Sequence, residues 1–236
     1  MKTSLVVILF FYFLGFSSSE DSQSDSCSSN FTLPGITFNA TSLKCVSVWS
    51  SEDFILRYQQ LGPSLWNFIL SAPNTNSYVG IGFSPDGKMV GSSSIVGWVP
   101  SGSGKGAIKQ YSLEGTRPST CLPDKGELSI KNMSIVSQSN RLFLAFQLNT
   151  TDQPKSKLIY AVGPKNKFPS SSDYLLSEHR SETSTTLNFA TGTSSESEEE
   201  EEEKGSDSKT QAKSSTMRNT VLLLNVLGWA LVVIFT

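Results

Sequence analysis

Two residues stand out for the chemistry they could do, Met89 and His179. Met89 directly follows a turn built from Pro85, Asp86 and Gly87, and precedes Gly91-Ser92-Ser93-Ser94. Pro fixes its own φ and Gly accepts positive φ, so the turn is strongly encoded. A flexible apolar side chain just after such a turn is out of place for a strand burying its core. It either fills a gap under a loop or offers a soft thioether of the kind that ligates haem iron. His179 is the only histidine and sits between Glu178 and Arg180 in a polar stretch. On spacing alone, the ordinary roles of these two residues are a packed Met and a surface His.

The parts list excludes most catalysis. One histidine and no G-x-S-x-G leave a hydrolase triad without support. H-E-x-x-H is absent, as is a G-x-G-x-x-G following a strand. Carboxylates in the central region are scattered, so no glycosidase pair can be picked out. With no C-x-x-C and no Cys/His cluster, zinc is not indicated. The chain reads as something other than a bond-making catalyst.

The elements that must position Met89 and His179 are short strands. Tyr78–Phe83 and Ser94–Trp98 flank the PDGKM turn. Cys45–Trp49, Phe54–Gln59, Trp66–Ser71, Ala107–Tyr111, Leu128–Val136, Arg141–Leu148 and Leu158–Val162 share their character, and Thr185–Phe189 is a candidate last strand. Gly, Pro, Asn and Ser punctuate nearly every gap, and no long 3.6-residue period intervenes. About nine strands without helices between them predict an all-β antiparallel sandwich or barrel. Most of Trp66, Phe68, Tyr78, Phe83 and Trp98 are read as sandwich core, with the lining of a haem pocket as the alternative.

Both ends fall outside that core. Residues 1–19 combine Lys2, the apolar run Leu5–Phe16 and small residues at Ser17–Ser19, the pattern of a cleaved signal peptide. Residues 20–26 form a Ser/Asp-rich arm expected to be disordered. The domain is expected at 27–192. Residues 193–220 form an acidic stalk and spacer with six consecutive glutamates, Glu198–Glu203, a block that self-repels. The tail at 221–236 is apolar after a polar, small-residue spacer, the layout of a glycosylphosphatidylinositol (GPI) anchor signal with Ser206 as the attachment candidate. A single C-terminal membrane span is the alternative. Between Cys27 and Gly192 lie 14 basic and 10 acidic residues, against 4 basic and 8 acidic between Thr193 and Thr220. A mildly basic domain thus precedes an acidic stalk, with no basic stripe suited to nucleic acid.

Secretion predicts glycans and disulfides. Asn30, Asn39, Asn132 and Asn149 each open an N-x-Ser/Thr sequon. The three cysteines are Cys27, Cys45 and Cys121, an odd count that leaves one unpaired or paired between chains. Cys27–Cys45 is favoured because it staples the N-terminal arm to the first strand; Cys45–Cys121 is the alternative.

The run G-x-G-F-S-P-x-G-x-M-x-G-S from Gly80, followed by V-G-W, resembles the DOMON domain, as do the LWNFILSAPNTNSYVG, KQYSL and EHRSETSTTLNFATG segments. The likeness runs from about Cys27 to Gly192. It is nearest to plant DOMON proteins, either fused to a membrane cytochrome b-561 or carrying one DOMON domain on a lipid anchor; in layout the chain is similar to the second sort. The resemblance implies an immunoglobulin-like β-sandwich that holds haem b with one Met and one His as axial ligands, and Met89 and His179 are the matching positions. Such an iron has both axial positions filled, which favours electron transfer over oxygen chemistry. The implied function is a one-electron carrier at the outer face of the plasma membrane, exchanging electrons with apoplastic reductants such as ascorbate or with a membrane redox partner. The alternative is a haem-free carbohydrate-binding or adhesion module of the cell surface. Phosphatidylinositol-specific phospholipase C is expected to release the protein from intact cells, whereas retention after treatment supports the membrane-span alternative.

Overall fold

The structure is a computed structural model, and it describes residues 25–27, 31–170 and 172–196. The signal peptide, most of the arm, Asn30, the glutamate run, Ser206 and the apolar tail lie outside the described residues. Twelve strands follow in order among the described residues: β1 Lys44–Trp49, β2 Phe54–Gln60, β3 Leu65–Pro73, β4 Val79–Ser84, β5 Ser92–Trp98, β6 Ala107–Leu113, β7 Cys121–Pro123, β8 Ile130–Gln138, β9 Arg141–Asn149, β10 Lys157–Val162, β11 Ser181–Asn188 and β12 Thr193–Glu196. They form two antiparallel sheets, one ordered β1-β2-β3-β9-β8 and the other β12-β11-β10-β4-β5-β6-β7. The fold is the expected all-β, immunoglobulin-like antiparallel sandwich.

Period-two alternation builds the core. Trp66, Phe68, Leu70 and Ala72 of β3 and Leu142, Leu144, Phe146 and Leu148 of β9 meet Val79, Ile81 and Phe83 of β4 and Leu158, Tyr160 and Val162 of β10 in one buried cluster. Phe68 sits at its centre, stacked on Phe146 and edge-on to Phe83. Rings at these separations add roughly 0.5–1.5 kcal/mol per pair beyond their buried area. Of the five aromatics, most of which were expected in the core, Trp66, Phe68 and Phe83 are there. Tyr78 and Trp98 instead belong to a second cluster on the outer face of the seven-stranded sheet. Both are even-numbered, and a one-residue offset turns a strand side chain to the opposite face.

The outer face of the five-stranded sheet is covered by the N-terminal segment. Leu33 and Ala40 are buried there with Ile69, Phe143 and Ala145, and Phe31, Ile36, Phe38 and Leu43 pack against them. The structure joins Cys27 to Cys45, with Cα atoms 5.4 Å apart, and leaves Cys121 a buried thiol. Burial pushes that thiol's pKa up and keeps it protonated.

Two boundaries differ from expectation. The arm does not end in disorder at Ser26: Asp25 takes a two-pronged bond from Arg57 at 2.7 and 2.5 Å, and Ser26 O accepts from the same guanidinium at 3.2 Å. The domain also runs past Gly192. Thr193–Glu196 pair with Thr185–Asn188 through a tight connection in which Gly192 has φ 79° and donates to Asn188 O at 2.8 Å. An edge strand made of Thr and Ser carries no apolar alternation, so composition placed it in the stalk. The short β7 was likewise missed.

Arg57 and Arg141 are almost fully buried, which demands partners. Arg141 bonds Ser71 Oγ at 2.8 Å, Asp53 O at 2.7 Å and the Asp53 carboxylate, and Arg57 lies 3.9 Å above the Phe31 ring. Burial alone would raise the Asp25 carboxyl. The bonds from Arg57 and Ser71 and the charges of Arg57 and Arg141 outweigh it and hold the carboxyl below its ordinary 3.8. A carboxyl depressed on folding adds stability that is full above the ordinary value and is lost as pH falls through the folded one. Asp25→Asn is expected to lower the urea-unfolding free energy by roughly 3–5 kcal/mol at neutral pH. The gap from wild type should narrow in acid, and an equal gap at about pH 6 and about pH 3 contradicts the assignment.

Candidate functional site

The site lies on the outer face of the seven-stranded sheet, and strand register defines its floor. One row across that face reads Lys109, Val96, Gly80, Ala161 and Glu182; the next reads Tyr111, Ser94, Gly82, Ile159 and Ser184. The preceding row holds Ala107 and Trp98, and Tyr78, just before β4, joins Trp98 in the same outer cluster. The centre of the floor therefore sets Gly80, Gly82, Ser94 and Ala161 beside Val96 and Ile159. A Cβ on Gly82 would come 2.6 Å from Ile159 Cγ1, and one on Gly80 would come 3.2 Å from Val96 Cγ2. The glycines let those neighbours settle low against β4. In the middle of the floor, the Ser94 hydroxyl is buried without a hydrogen-bond partner in the structure.

Met89 enters from the β4–β5 connection. Ser84 Oγ accepts from Gly87 N at 2.8 Å and donates to Lys88 O at 2.8 Å; Ser92 Oγ donates to the same carbonyl at 2.7 Å. Asp86 Oδ1 accepts from Lys88 N at 2.8 Å, and this bond chiefly holds its carboxyl below the usual range. Lys157 Nζ donates to Asp86 O at 3.0 Å. Gly87 and Gly91 take φ of 97° and 82°, which only glycine adopts without strain. The turn is thus fixed by its own side chains. Its Met89 is half-buried and packs on the cluster of Tyr78, Val96, Trp98, Tyr111 and Leu113.

His179 arrives on a strap, residues 164–180, that crosses the same face between β10 and β11. Two floor tyrosines hold the strap by its backbone. Tyr78 OH donates to Ser177 O at 2.6 Å, and Tyr111 OH donates to Tyr174 O at 2.8 Å. Burial pushes both phenols well above their ordinary range, so they stay donors; nearby charges, among them Glu182 and Glu178 at Tyr78, add to this. Leu176 is buried in the cluster, and the Tyr174 ring lies 6.2 Å from Trp98 and 4.2 Å from Lys109 Nζ. Tyr174 has φ 54°, an outlier for a bulky residue that these contacts sustain. At the end of the strap, Arg180 N bonds Val162 O at 2.8 Å and its guanidinium clasps Glu52 at 2.9 and 2.8 Å. His179 Nε2 meets the Glu182 carboxylate, and its side chain is 25% exposed.

Met89 and His179 are therefore both attached to one face of one sheet, Met89 from the loop at one end of β4 and His179 from the strap that meets the other end. The sequence reading missed the small-residue floor, the two anchoring tyrosines and Glu182. Only the floor left a signal, in the alternation Gly80-x-Gly82 and Ser92-x-Ser94. Of the sequons, Asn39 and Asn132 are exposed and Asn149 is half-buried. Asn39 Oδ1 already holds the Thr41 amide and hydroxyl at 2.9 and 2.8 Å.

A Cβ at Gly163 would fall 2.2 Å from the Tyr78 ring. Gly163→Ala is expected to push that ring aside and cost about 1–3 kcal/mol in urea unfolding. Tyr78→Phe should cost about 1 kcal/mol and speed protease cleavage within the strap. A wild-type cleavage rate in both variants would show that Tyr78 does not hold it.

The DOMON domain family model matches residues 65–164, from β3 through β10. Two Arabidopsis thaliana proteins, each described as a cytochrome b561 and DOMON domain-containing protein, are similar to the chain. One is 41% identical over 240 residues, covering 99% of this chain and 61% of the relative. The other is 33% identical over 165 residues, covering 69% of this chain and 40% of the relative. The chain thus spans less than two thirds of the length of either. Among solved structures, the cytochrome b domain of pyranose dehydrogenase from Coprinopsis cinerea aligns with a TM-score of 0.45 at 14% identity, over 60% of this chain and 79% of that one. Family match and β-sandwich agree with the motif from Gly80 to Ser92: residues 65–164 of the chain match the DOMON domain.

Proposed function

We propose that the domain is an electron-transfer module that binds haem b on the outer face of its seven-stranded sheet, with Met89 and His179 as axial ligands. The observation that carries this reading is the placement of a thioether and an imidazole on one face, around a floor of Gly80, Gly82, Ser94 and Ala161. The residues present fit the group. A lowered, small-residue floor suits a flat apolar ring, an orphaned Ser94 hydroxyl awaits a partner, and a sulfur and nitrogen donor pair suits haem iron. The names of the Arabidopsis relatives, which join a DOMON domain to a cytochrome b561, support the same reading.

Bound haem supplies a one-electron couple. The protein's part is to hold both donors in place. The turn fixed by Ser84, Asp86 and Ser92 presents Met89, and the strap fixed by Tyr78, Tyr111 and the Arg180–Glu52 pair presents His179. Two protein donors would hold the iron without an open site for oxygen, which favours carrying electrons over making or breaking bonds.

The chain is placed by this reading at the outer face of the plasma membrane on a GPI anchor attached near Ser206, in the plant apoplast. Ascorbate or a membrane redox partner exchanges electrons with it there. The exposed sequons Asn39 and Asn132 and the Cys27–Cys45 disulfide suit an oxidising, glycosylating route. No helix among the described residues is long and apolar enough to cross a membrane.

The test is a reduced-minus-oxidised spectrum of the full chain expressed with ample haem. A low-spin b-type spectrum is expected in wild type, shifting towards high spin in Met89→Ala and in His179→Ala. A colourless protein overturns the proposal. Unchanged spectra in both variants keep the haem and reject these ligands.

A further inference from the structure

We propose that the turn Ser50–Asp53 couples the N-terminal arm to the strap, so that a dithiol that opens the Cys27–Cys45 disulfide also loosens the strap. Two adjacent acids in this turn each hold an arginine from a different part of the molecule. Glu52 takes the Arg180 guanidinium at 2.9 and 2.8 Å, and Arg180 N donates to Val162 O at 2.8 Å where the strap ends. Asp53 takes Arg141, through its carbonyl at 2.7 Å and through its carboxylate. Arg141 Nε in turn lies 4.0 Å from the carboxylate of Asp25, two residues before Cys27. Arm, buried arginine, turn and strap thus form one unbroken series of contacts. The inference goes beyond the haem reading and does not depend on what the strap carries.

The turn has little of its own to fix it. Asp53 takes φ 54°, a conformation that a residue with a Cβ enters at a cost, and the register of β1 against β2 shifts between Ser47 and Trp49 beside it. Its backbone bond from Asp53 N to Ser50 O is long, at 3.3 Å, and no side-chain bond caps its start. The two bonds from Arg141 are what hold Asp53. Arg141 is almost fully buried and stands between two carboxylates, Asp25 from the arm and Asp53 from the turn. If the arm leaves, the buried guanidinium keeps only Asp53, and either draws it inward or moves out to water. Both movements shift Asp53, and with it Glu52 next door. Such a two-position element is what coupling through a series of contacts requires. The disulfide holds the arm in place, and Cys27 is exposed to a reductant. A dithiol attacks one sulfur, the S–S bond breaks, two thiols form on the protein, and the dithiol, losing two electrons, closes to its own disulfide. Asp25 must then find Arg57 and Arg141 from a loose segment, against the entropy of that segment.

Amide hydrogen exchange of the full-length, haem-free chain, with and without dithiothreitol, reads the coupling at Arg180 N–H, whose partner is Val162 O. Reduction is expected to speed exchange there about fivefold or more, the low end of couplings between linked sites. Gly87 N–H, held by Ser84 Oγ in the Met89 turn, should keep its rate. Cys27→Ser combined with Cys45→Ser should match reduced wild type with no reductant present. Glu52→Ala is expected to speed exchange at Arg180 in the oxidised protein and to abolish the further response to dithiothreitol. Equal exchange at Arg180 before and after a thiol count has shown the disulfide open overturns the proposal. So does an equal rise at Gly87, which marks general loosening, and so does an undiminished response in Glu52→Ala, which routes the effect elsewhere. The result is separate from the haem reading. A colourless protein whose strap still answers the reductant keeps the coupling, and a low-spin haem protein whose strap does not answer loses only the coupling.

Discussion

Strict two-residue alternation along β4 is the constraint on which both the core and the site depend. Val79, Ile81 and Phe83 point inward and are essentially fully buried between the sheets. Gly80 and Gly82, between them, face outward. Because a strand's side chains alternate, the inward set cannot be kept while the outward set moves. A one-residue slip would put two glycines into the core and three large side chains onto the floor. The packing of Phe83 against Phe68 and the smallness of the floor at Gly82 are thus two consequences of one register. The neighbouring strands obey the same rule, with Ile95 inside and Ser94 outside on β5, and Tyr160 inside and Ile159 outside on β10.

On this rigid sheet the two donor-bearing segments are held by different means. The turn before Met89 is closed by local bonds among Ser84, Asp86, Lys88 and Ser92, all within nine residues. It needs little from the rest of the protein beyond the β4–β5 pairing. The strap before His179 depends on distant residues. Tyr78 and Tyr111 reach it across 99 and 63 positions, and Glu52 holds its end across 128. Local closure gives a turn that forms with its hairpin. Long-range closure gives a segment that is placed only once the sandwich exists, and that is the first to loosen when a floor tyrosine is lost.

The opposite sheet meets a different requirement. Its outer face carries two buried guanidinium groups, Arg57 and Arg141, among Asn67, Ser71 and Gln147. Such a face is stable only if covered and neutralised. The N-terminal segment does both, Phe31, Leu33 and Ala40 by packing and Asp25 by charge. The Cys27–Cys45 disulfide sits between Asp25 and the apolar cover and holds the two together. The five-stranded sheet is therefore covered by the described N-terminal segment, and the outer face of the seven-stranded sheet is left for the strap and the floor.

Residues with strong local preferences were legible from the chain alone. Apolar alternation marked nine of the strands, Pro85-Asp86-Gly87 marked the turn, and Cys27 and Cys45 marked the staple. Met89 was conspicuous because a thioether follows that turn with no core to bury it in, and His179 because there is no other histidine. Two elements stayed hidden: β12 is Thr and Ser with one Glu, and β7, Cys-Leu-Pro, is too short to show alternation. Their existence rests on backbone pairing, which neither polar side chains nor three residues encode. The same holds for the site. Sequence determined which groups could donate to a metal and that a sandwich would carry them. Only the tertiary structure decided that the Met89 turn and the strap before His179 meet the outer face of one sheet, and that Gly80, Gly82 and Ser94 lie together on that face. Those facts follow from register between strands far apart in the chain, and register is fixed by the packing of the whole core.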